Sequence, residues 1–504
     1  MKKNGGTARF IKNGLLLTCA SFFMRVVGVR FNAFVSAKVG ADGIGLYTLI
    51  MSVYGFAVTL ASSGVSLAAT RMCAEAESET EKRSALRRCA LYASVCGTLS
   101  CSLLLIFGKF IGENLLGDAR CVIPLRLLAL SMPFIALSNV LHGYFSAARK
   151  VSRSAAVSVF EQLFRIAVTV WLLGVVPDGI EYACIALLGS GMLSEIASFL
   201  AVFSLYLLDR RNMKYERSVI DGQTLSRKLF SITLPVAAAA YIRSGLTTLE
   251  HILIPRGLRQ NPATSERALA SYGILCGMVM PVIMLPTAFL YSFTGLLIPE
   301  FAEASARGEN RRVVDMSARA ASLTLSFSFG CAALMSVFSG ELGVLIYKST
   351  ECGDFIRIMA PLIPVMYLDH AIDSILKGLG EQLYCMKVNI LDAAMCALMV
   401  FILCPRIGIY GYVATIYVSE AVNASLSLAR LCKKTGTGIS PRAVVRPVLG
   451  ALTAALAVKL MQNGVGIMNL VLRVCVFCGV YLIITLTSLP KLRATTPESV
   501  RQAS

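Results

Sequence analysis

The sequence predicts an all-α, polytopic membrane protein with about fourteen transmembrane helices. Hydrophobic residues make up 56% of the 504 residues and charged residues only 15%, whereas roughly a quarter of the residues of a soluble domain are charged. The mean hydropathy is +0.69. Apolar stretches of about twenty residues, the length that crosses roughly 30 Å of hydrocarbon, recur along the whole chain.

The predicted spans are runs of apolar sequence joined by short loops, which have no room for a soluble domain. They lie near 11–37, 44–70, 86–108, 121–145, 155–176, 181–208, 229–254, 269–298, 318–346, 355–377, 385–404, 408–430, 443–462 and 467–489. The basic start of the chain resembles that of a signal peptide. However, its apolar run contains arginines and has no clear small-residue cleavage site, so we expect it to remain as the first span.

Lysines and arginines concentrate on one side of the predicted spans. If the N-terminus is cytoplasmic, the inside segments hold 32 of them and the outside loops hold 8. This asymmetry predicts a multi-pass protein of the bacterial cytoplasmic (inner) membrane with both termini in the cytoplasm. The same loops account for the net charge of +19 by lying at an anionic leaflet. We therefore expect contact with membrane lipids, no nucleic acid partner, and a monomer.

Features of an enzyme are missing from the sequence. The chain has three histidines, short loops, and no GxxxxGK[ST] motif to hold nucleotide phosphates. Most of the 16 cysteines lie in apolar runs, where cysteine is a small packing residue. The one close pair, Cys475 and Cys478, has no second pair to complete a zinc site. We therefore expect no catalytic activity, no cofactor and no firm metal site, with transport coupled to Na⁺ or H⁺.

Two segments of the chain point to an internal duplication. Residues 126–133 and 357–364 both read Arg-x-x-Ala-x-x-x-Pro, and transporters are often built from repeats. We predict an N-lobe of six helices over 1–220 and a C-lobe of six helices over 221–435. Two further helices and a tail would then occupy 436–504.

Several motifs resemble those of a known superfamily, the multidrug/oligosaccharidyl-lipid/polysaccharide exporters. Two segments of the first spans resemble MurJ-type lipid II flippases: Ser21-Phe-Phe-Met-Arg25-Val-Val-Gly28-Val-Arg30 and Gly40-Ala-Asp-Gly-Ile-Gly-Leu-Tyr. Two others resemble the stage V sporulation protein B branch, Leu141-His-Gly-Tyr-Phe145 and Glu161-Gln-Leu-Phe-Arg165, and the turn Lys377-Gly-Leu-Gly380 agrees with the superfamily.

The resemblance implies a MurJ-like or MATE-like pair of lobes around a cavity that opens alternately to either side. It also implies that the protein is a flippase for a sugar precursor linked to undecaprenyl pyrophosphate, used in peptidoglycan, spore cortex or polysaccharide assembly. In MurJ-type members, first-helix arginines line a cationic cavity, and Arg25 and Arg30 match them. An arginine of the eighth helix is replaced here by the stretch 272–275, Tyr-Gly-Ile-Leu. This departure favours the sporulation-type or polysaccharide branch.

Arginines inside the spans are the candidate substrate-binding residues, because guanidinium groups bind phosphate oxygens bidentately. Arg25 and Arg243 lie near the middle of the first and seventh spans, and Arg30 lies further along the first. Glu161 and Arg165 are four residues apart on one helix face, which suits either an internal ion pair or substrate contact. We expect the other basic residues of the spans to extend toward the headgroups: Arg126, Arg357, Lys459 and Arg473.

Acidic and polar residues of the later spans are candidates for ion coupling. Asp369 and Asp373 lie on one helix face. The resemblance implies a sodium site at Asn389, Asp392 and Thr415, and hard cations favour such oxygen ligands. Alternatively, these side chains join helices by hydrogen bonds.

A second function remains open, that of a MATE-type multidrug/cation antiporter. A drug site of that kind needs an acidic cavity lined with aromatic side chains. The arginines of the spans and the single tryptophan favour the flippase instead.

Overall fold

The computed structural model describes residues 4–487, apart from 77, 178, 211–221, 262–266, 437, 439 and 462–466. In this part of the chain the regular elements are all helical. The helices up to residue 283 are α1 Asn4–Ser62, α2 Val65–Glu75, α3 Glu79–Phe110, α4 Val122–Ala129, α5 Met132–Ala147, α6 Val151–Val175, α7 Ile180–Arg210, α8 Gly222–Gln260, α9 Ala268–Tyr272 and α10 Met280–Ile283. Those that follow are α11 Thr287–Ala306, α12 Asn310–Val337, α13 Ser339–Tyr347, α14 Thr350–Met359, α15 Ile363–Gly378, α16 Gln382–Ile407, α17 Ile409–Thr435, α18 Pro441–Leu460 and α19 Ile467–Thr487.

Several of these helices are long and apolar enough to cross a membrane. Among the described residues nine helical segments meet this test singly, and α4 with α5, bent by 45°, form a tenth. The segment Phe23–Glu75 has 53 residues, which at 1.5 Å per residue is about 80 Å, more than two crossings of the hydrocarbon. It bends at Gly40, where φ is 74°. The predicted all-α, multi-pass architecture is confirmed, and the count of fourteen stays a prediction.

The helices form two compact units. The first comprises residues 1–285 and 386–419, and the second comprises residues 286–385 and 420–504. The division into duplicated lobes over 1–220 and 221–435 stays a prediction.

In the first unit, α1 approaches α9 and the π-helical turn Gly273–Val279 closely enough that only glycine fits. A methyl group on Gly45 would lie 2.1 Å from the carbonyl oxygen of Leu269, and one on Gly273 would lie 2.2 Å from that of Ala41. Backbone therefore packs directly on backbone at this contact.

The basic loops of the first unit meet at one end of it, which we call the basic end. Asp209 at the end of α7 accepts hydrogen bonds from Lys150 and, at 2.8 Å, from the hydroxyl of Tyr144 near the end of α5. Lys228 near the start of α8 pairs with Glu75 at the end of α2 at 2.8 Å. These contacts place on one side the loops that the charge pattern assigns to one side.

Each unit contains an interrupted helix at the segment of the predicted repeat. Between α4 and α5 the chain breaks just before Pro133, which lies in the first turn of α5. Between α14 and α15 it forms the 3₁₀ turn Ala360–Leu362, and Pro364 lies in the first turn of α15. Both segments thus interrupt the regular α-helix beside a proline, but among the described residues only α4 and α5 are bent by more than 40°.

In the second unit, Glu381 ties the loop between α15 and α16 to the end of α17. Its carboxylate accepts from Arg430 and Lys434, each at 2.6 Å. The Arg430 guanidinium also lies over the ring of Tyr384, 4.9 Å from its centroid. The hydrogen bonds from Lys434 and then Arg430 hold the pKa of Glu381 below its usual value of 4.5.

The backbone contact of α1 can be tested with one methyl group. Gly273→Ala should lower the free energy of unfolding by about 1–3 kcal/mol, because α1 must move away from the added carbon. The measurement is the thermal midpoint of the purified full chain in detergent. Gly191→Ala on α7 is the matched control, since its methyl group meets nothing within 4 Å and alanine is the better helix former. Equal losses in the two variants would contradict the close approach.

Candidate functional site

Arg25 is the half-buried arginine of the first span. Its Nη1 donates to the carbonyl oxygen of Met284 at 2.8 Å. Two turns further along α1, the amide of Asn32 donates to the carbonyl oxygen of Gly277 at 2.5 Å. Both bonds join α1 to the same part of the first unit, so the guanidinium is held in a defined place. Arg30 lies between these two residues and is exposed.

A group of polar side chains, the inner cluster, forms where α1, α6 and α7 meet inside the first unit. It comprises Tyr54, Glu161, Arg165, Glu195 and Ser198. The hydroxyl of Ser198 donates to Oε2 of Glu161 at 2.7 Å, and buried Tyr54 lies within electrostatic range of Glu195. Arg165 and both carboxylates lie within electrostatic range of one another. Two acids and one guanidinium therefore share this site.

The predicted ion pair between Glu161 and Arg165 is not formed among the described residues. The carboxylate turns to Ser198 on the neighbouring helix instead. The sequence interpretation also missed Glu195, although it is an acid inside the predicted span 181–208. The cost of an intramembrane charge, which drew attention to the arginines, would have identified it equally well.

Arg243, exposed on α8, belongs to a second charged group of the first unit, which we call the outer cluster. Asp392 on α16 lies within electrostatic range of Arg243 and of Glu250. Its Oδ1 accepts a hydrogen bond from the hydroxyl of Ser419 on α17 at 2.5 Å. Thr415, one turn before Ser419, is fully buried. The outer cluster thus combines an arginine with two acids and the hydroxyl groups of α17.

Three of the predicted ion-coupling residues lie in or beside the outer cluster. Asn389 precedes Asp392 by one turn of α16, and Thr415 precedes the Asp392 partner Ser419 by one turn of α17. Amide, carboxylate and hydroxyl oxygens are the ligands that hard cations prefer. The donor set at Asp392 therefore suits a cation such as Na⁺.

Asp369 and Asp373, the other two predicted residues, are bound by different partners in the second unit. Oδ2 of buried Asp369 accepts from the amide of Asn423 at 3.2 Å. Asp373 forms an ion pair with Lys377 at 2.5 Å. Within the described ranges no group of three or more His, Cys, Asp and Glu side chains is arranged to hold a metal ion. Asp373, which is already paired with Lys377, is accordingly a weaker candidate for coupling than Asp392.

One of the arginines expected to extend to the headgroups is paired instead. Arg473 donates to Glu341 at 3.1 Å and lies 5.4 Å from the ring centroid of Phe338, so that expectation is wrong for this residue. Its partner Glu341 is remote in the sequence, so the sequence pattern could not predict the pair. The other three such residues have exposed side chains: Arg126, Arg357 and Lys459.

The charge balance of the inner cluster can be tested by removal and rescue. Arg165→Gln leaves two acids without their cation and should cost about 1–3 kcal/mol of the free energy of unfolding. Adding Glu195→Gln should restore part of the lost free energy of unfolding, because it removes one of the two acids that Arg165→Gln leaves without a cation. Thermal midpoints of the purified chain report both effects, with Arg126→Gln as the control at an exposed arginine. A double variant no more stable than Arg165→Gln would argue against shared electrostatics.

Comparisons with known proteins agree on one family and one fold. Stage V sporulation protein B of Bacillus subtilis (strain 168) is 26% identical over 433 residues, 84% of either chain. The structure of Lipid II flippase MurJ in an inward closed conformation superposes with a TM-score of 0.69 at 15% identity, covering 94% of this chain and 98% of that one.

An inward-facing multidrug resistance MATE family transporter of the MOP superfamily gives a TM-score of 0.59 at 13% identity, covering 84% of this chain and 98% of that one. These likenesses confirm the predicted MurJ-like and MATE-like fold. The relatives are transport proteins, as the sequence predicts, and not enzymes. Residues 10–305, more than half of the chain, match the Polysaccharide biosynthesis protein family, and the chain belongs to that family.

Proposed function

We propose that the protein carries a sugar precursor linked to undecaprenyl pyrophosphate across the bacterial inner membrane, by alternating access. The proposal includes cytoplasmic termini and a monomeric state. It is supported by the names of the similar proteins, which include a lipid II flippase and a sporulation protein. It also rests on the charges inside the spans, which require a physical explanation.

The placement of Arg25 is the observation that carries this proposal. A charge inside a membrane costs several kcal/mol on lenient scales, so it needs water, a partner or a function. A guanidinium group has five N–H donors, and the bond to Met284 orients the group. Such an oriented fork suits phosphate oxygens, which it can bind in pairs.

Arg165 and Arg243 place further positive charge inside the spans of the first unit. A pyrophosphate-linked headgroup carries two negative charges, and more than one guanidinium group is needed to balance them. The acids beside these arginines keep the substrate from binding too tightly to be released. Each arginine has an alternative electrostatic partner when the substrate leaves. Binding that can be reversed is what a carrier requires.

The stretch at 272–275 supports a substrate other than lipid II itself. The hydroxyl of Tyr272 lies 3.1 Å from Nδ1 of His251. A hydrogen-bonded polar pair therefore stands where MurJ-type flippases are expected to carry an arginine. We propose a sporulation-type or polysaccharide precursor on these grounds.

The proposal that Arg25 and Arg243 bind the substrate is tested with Arg25→Ala and Arg243→Ala, alone and combined. Each variant should reduce transport of the lipid-linked precursor about tenfold or more, because a charge-assisted hydrogen bond contributes about 1.5–3 kcal/mol. The measurement is the exposure of the precursor on the outer side of cells that depend on this protein.

Two comparisons sharpen that experiment. Arg25→Lys keeps the charge but loses the fork, so it should fall between the wild type and Arg25→Ala. Arg227→Ala removes an exposed arginine near the start of α8 and should leave transport unchanged. Normal transport in the Arg25/Arg243 double variant would refute the assignment. Drug export with an unaffected precursor would support the antiporter instead.

We further propose that a cation gradient, of Na⁺ or H⁺, drives transport through Asp392. Asn389, Asp392 and Thr415 would hold the cation, and Glu250 would respond to it through its electrostatic contact with Asp392. The cation supplies the positive charge that offsets the two acids. When it leaves, Arg243 is the remaining positive charge near Asp392.

Asp392 and Asp373 provide a matched pair of acids for this test. Asp392→Asn should abolish the dependence of transport on the imposed Na⁺ or H⁺ gradient. Asp373→Asn removes an acid that is already paired with Lys377 and should leave the dependence intact. The readout is precursor transport in proteoliposomes with each gradient applied separately. Loss of gradient dependence in Asp373→Asn alone would contradict the proposal.

A further inference from the structure

A cavity of about 320 Å³ lies at the basic end of the first unit, away from both charged clusters described above. It opens between α3, α5 and α7. Three arginines line it: Arg83 and Arg87 of α3 and Arg210 of α7. Arg83 and Arg87 are four residues apart and so lie on one face of their helix.

The positive charge of this cavity is not balanced by the nearest acid in the sequence. Asp209 directly precedes Arg210, but its carboxylate binds Tyr144, Lys150 and Arg153. Among the residues that the structure describes, Arg87 and Arg210 form no ion pair. The described lining of the cavity thus has three arginines and no acid, a composition that favours an anionic ligand.

The remaining wall of the cavity is apolar and aromatic. Leu137 of α5 lines it beside Phe199 and Phe203 of α7, whose rings stack with centroids 5.6 Å apart. Next to it, Leu207 and Leu208 are exposed and line a neighbouring cavity that also includes Arg210. A ligand that fits has an anionic head and an apolar body.

We propose that this cavity binds the headgroup phosphate of an anionic phospholipid from the leaflet at the basic end, with its acyl chains along the face of Phe203 and Leu207. Basic pockets between transmembrane helices bind such headgroups. A free phosphate would use the arginines but not the apolar wall. The lipid would join α3 to α7 and stabilise the first unit by mass action, since it binds only the folded chain.

The test is native mass spectrometry of the intact chain titrated with dioleoylphosphatidylglycerol. Arg87→Gln and Arg210→Gln should each weaken binding of the first lipid about fivefold, and the double variant should weaken it more than tenfold. Arg227→Gln is the matched control, because it removes one exposed charge at the same end but outside the cavity. Equal weakening by Arg227→Gln would overturn the proposal.

Two further arms distinguish the lipid from other sources of phosphate and from loss of folding. Dioleoylphosphatidylcholine and glycerol 3-phosphate should each bind at least tenfold more weakly than the anionic lipid, and equal binding of either would overturn the proposal. Arg210→Lys keeps the charge and should keep most of the affinity. The anionic lipid should also raise the thermal midpoint of the wild type more than that of the double variant, and equal shifts would count against the site.

Discussion

The cost of a charge in hydrocarbon is the constraint on which this structure depends. A chain whose helices run through lipid can keep an arginine or an acid only where another group holds it. Several charges in the spans of the first unit accordingly have a defined environment. Arg25 has a carbonyl oxygen, Arg165 has two acids, and Asp392 has a hydroxyl group and a nearby arginine. The same cost that shapes the fold therefore marks the residues able to bind a charged substrate.

Close packing of the backbone positions these groups. The contact of Gly45 and Gly273 brings α1 against the segment that also receives Arg25 and Asn32. Both hydrogen bonds require the close approach of α1 to this segment. The position of the Arg25 guanidinium therefore depends on the two glycines. A change at the contact would move the guanidinium even though it touches no charged group.

Much of the architecture could be predicted from the sequence because the bilayer imposes one length and one polarity on every span. The apolar runs located the helices, and the alternation of basic loops placed those loops at one end of the first unit. The individual partners could not be predicted. Glu161 meets Ser198 and Arg473 meets Glu341 across separate helices, and spacing along one helix says nothing of such contacts. The i,i+4 rule suggested a Glu161–Arg165 pair that tertiary packing replaced.

The π-helical turn at Gly273–Val279 affects how this chain is aligned with its relatives. A π turn holds one more residue than an α turn, so every side chain after it is rotated by about 100° from its place on an uninterrupted α-helix. In a relative without this turn, the residue aligned with a given position of this chain would point in a different direction and meet a different neighbour. Equivalence of residues in this span has to be judged by the direction of each side chain as well as by its position in the chain.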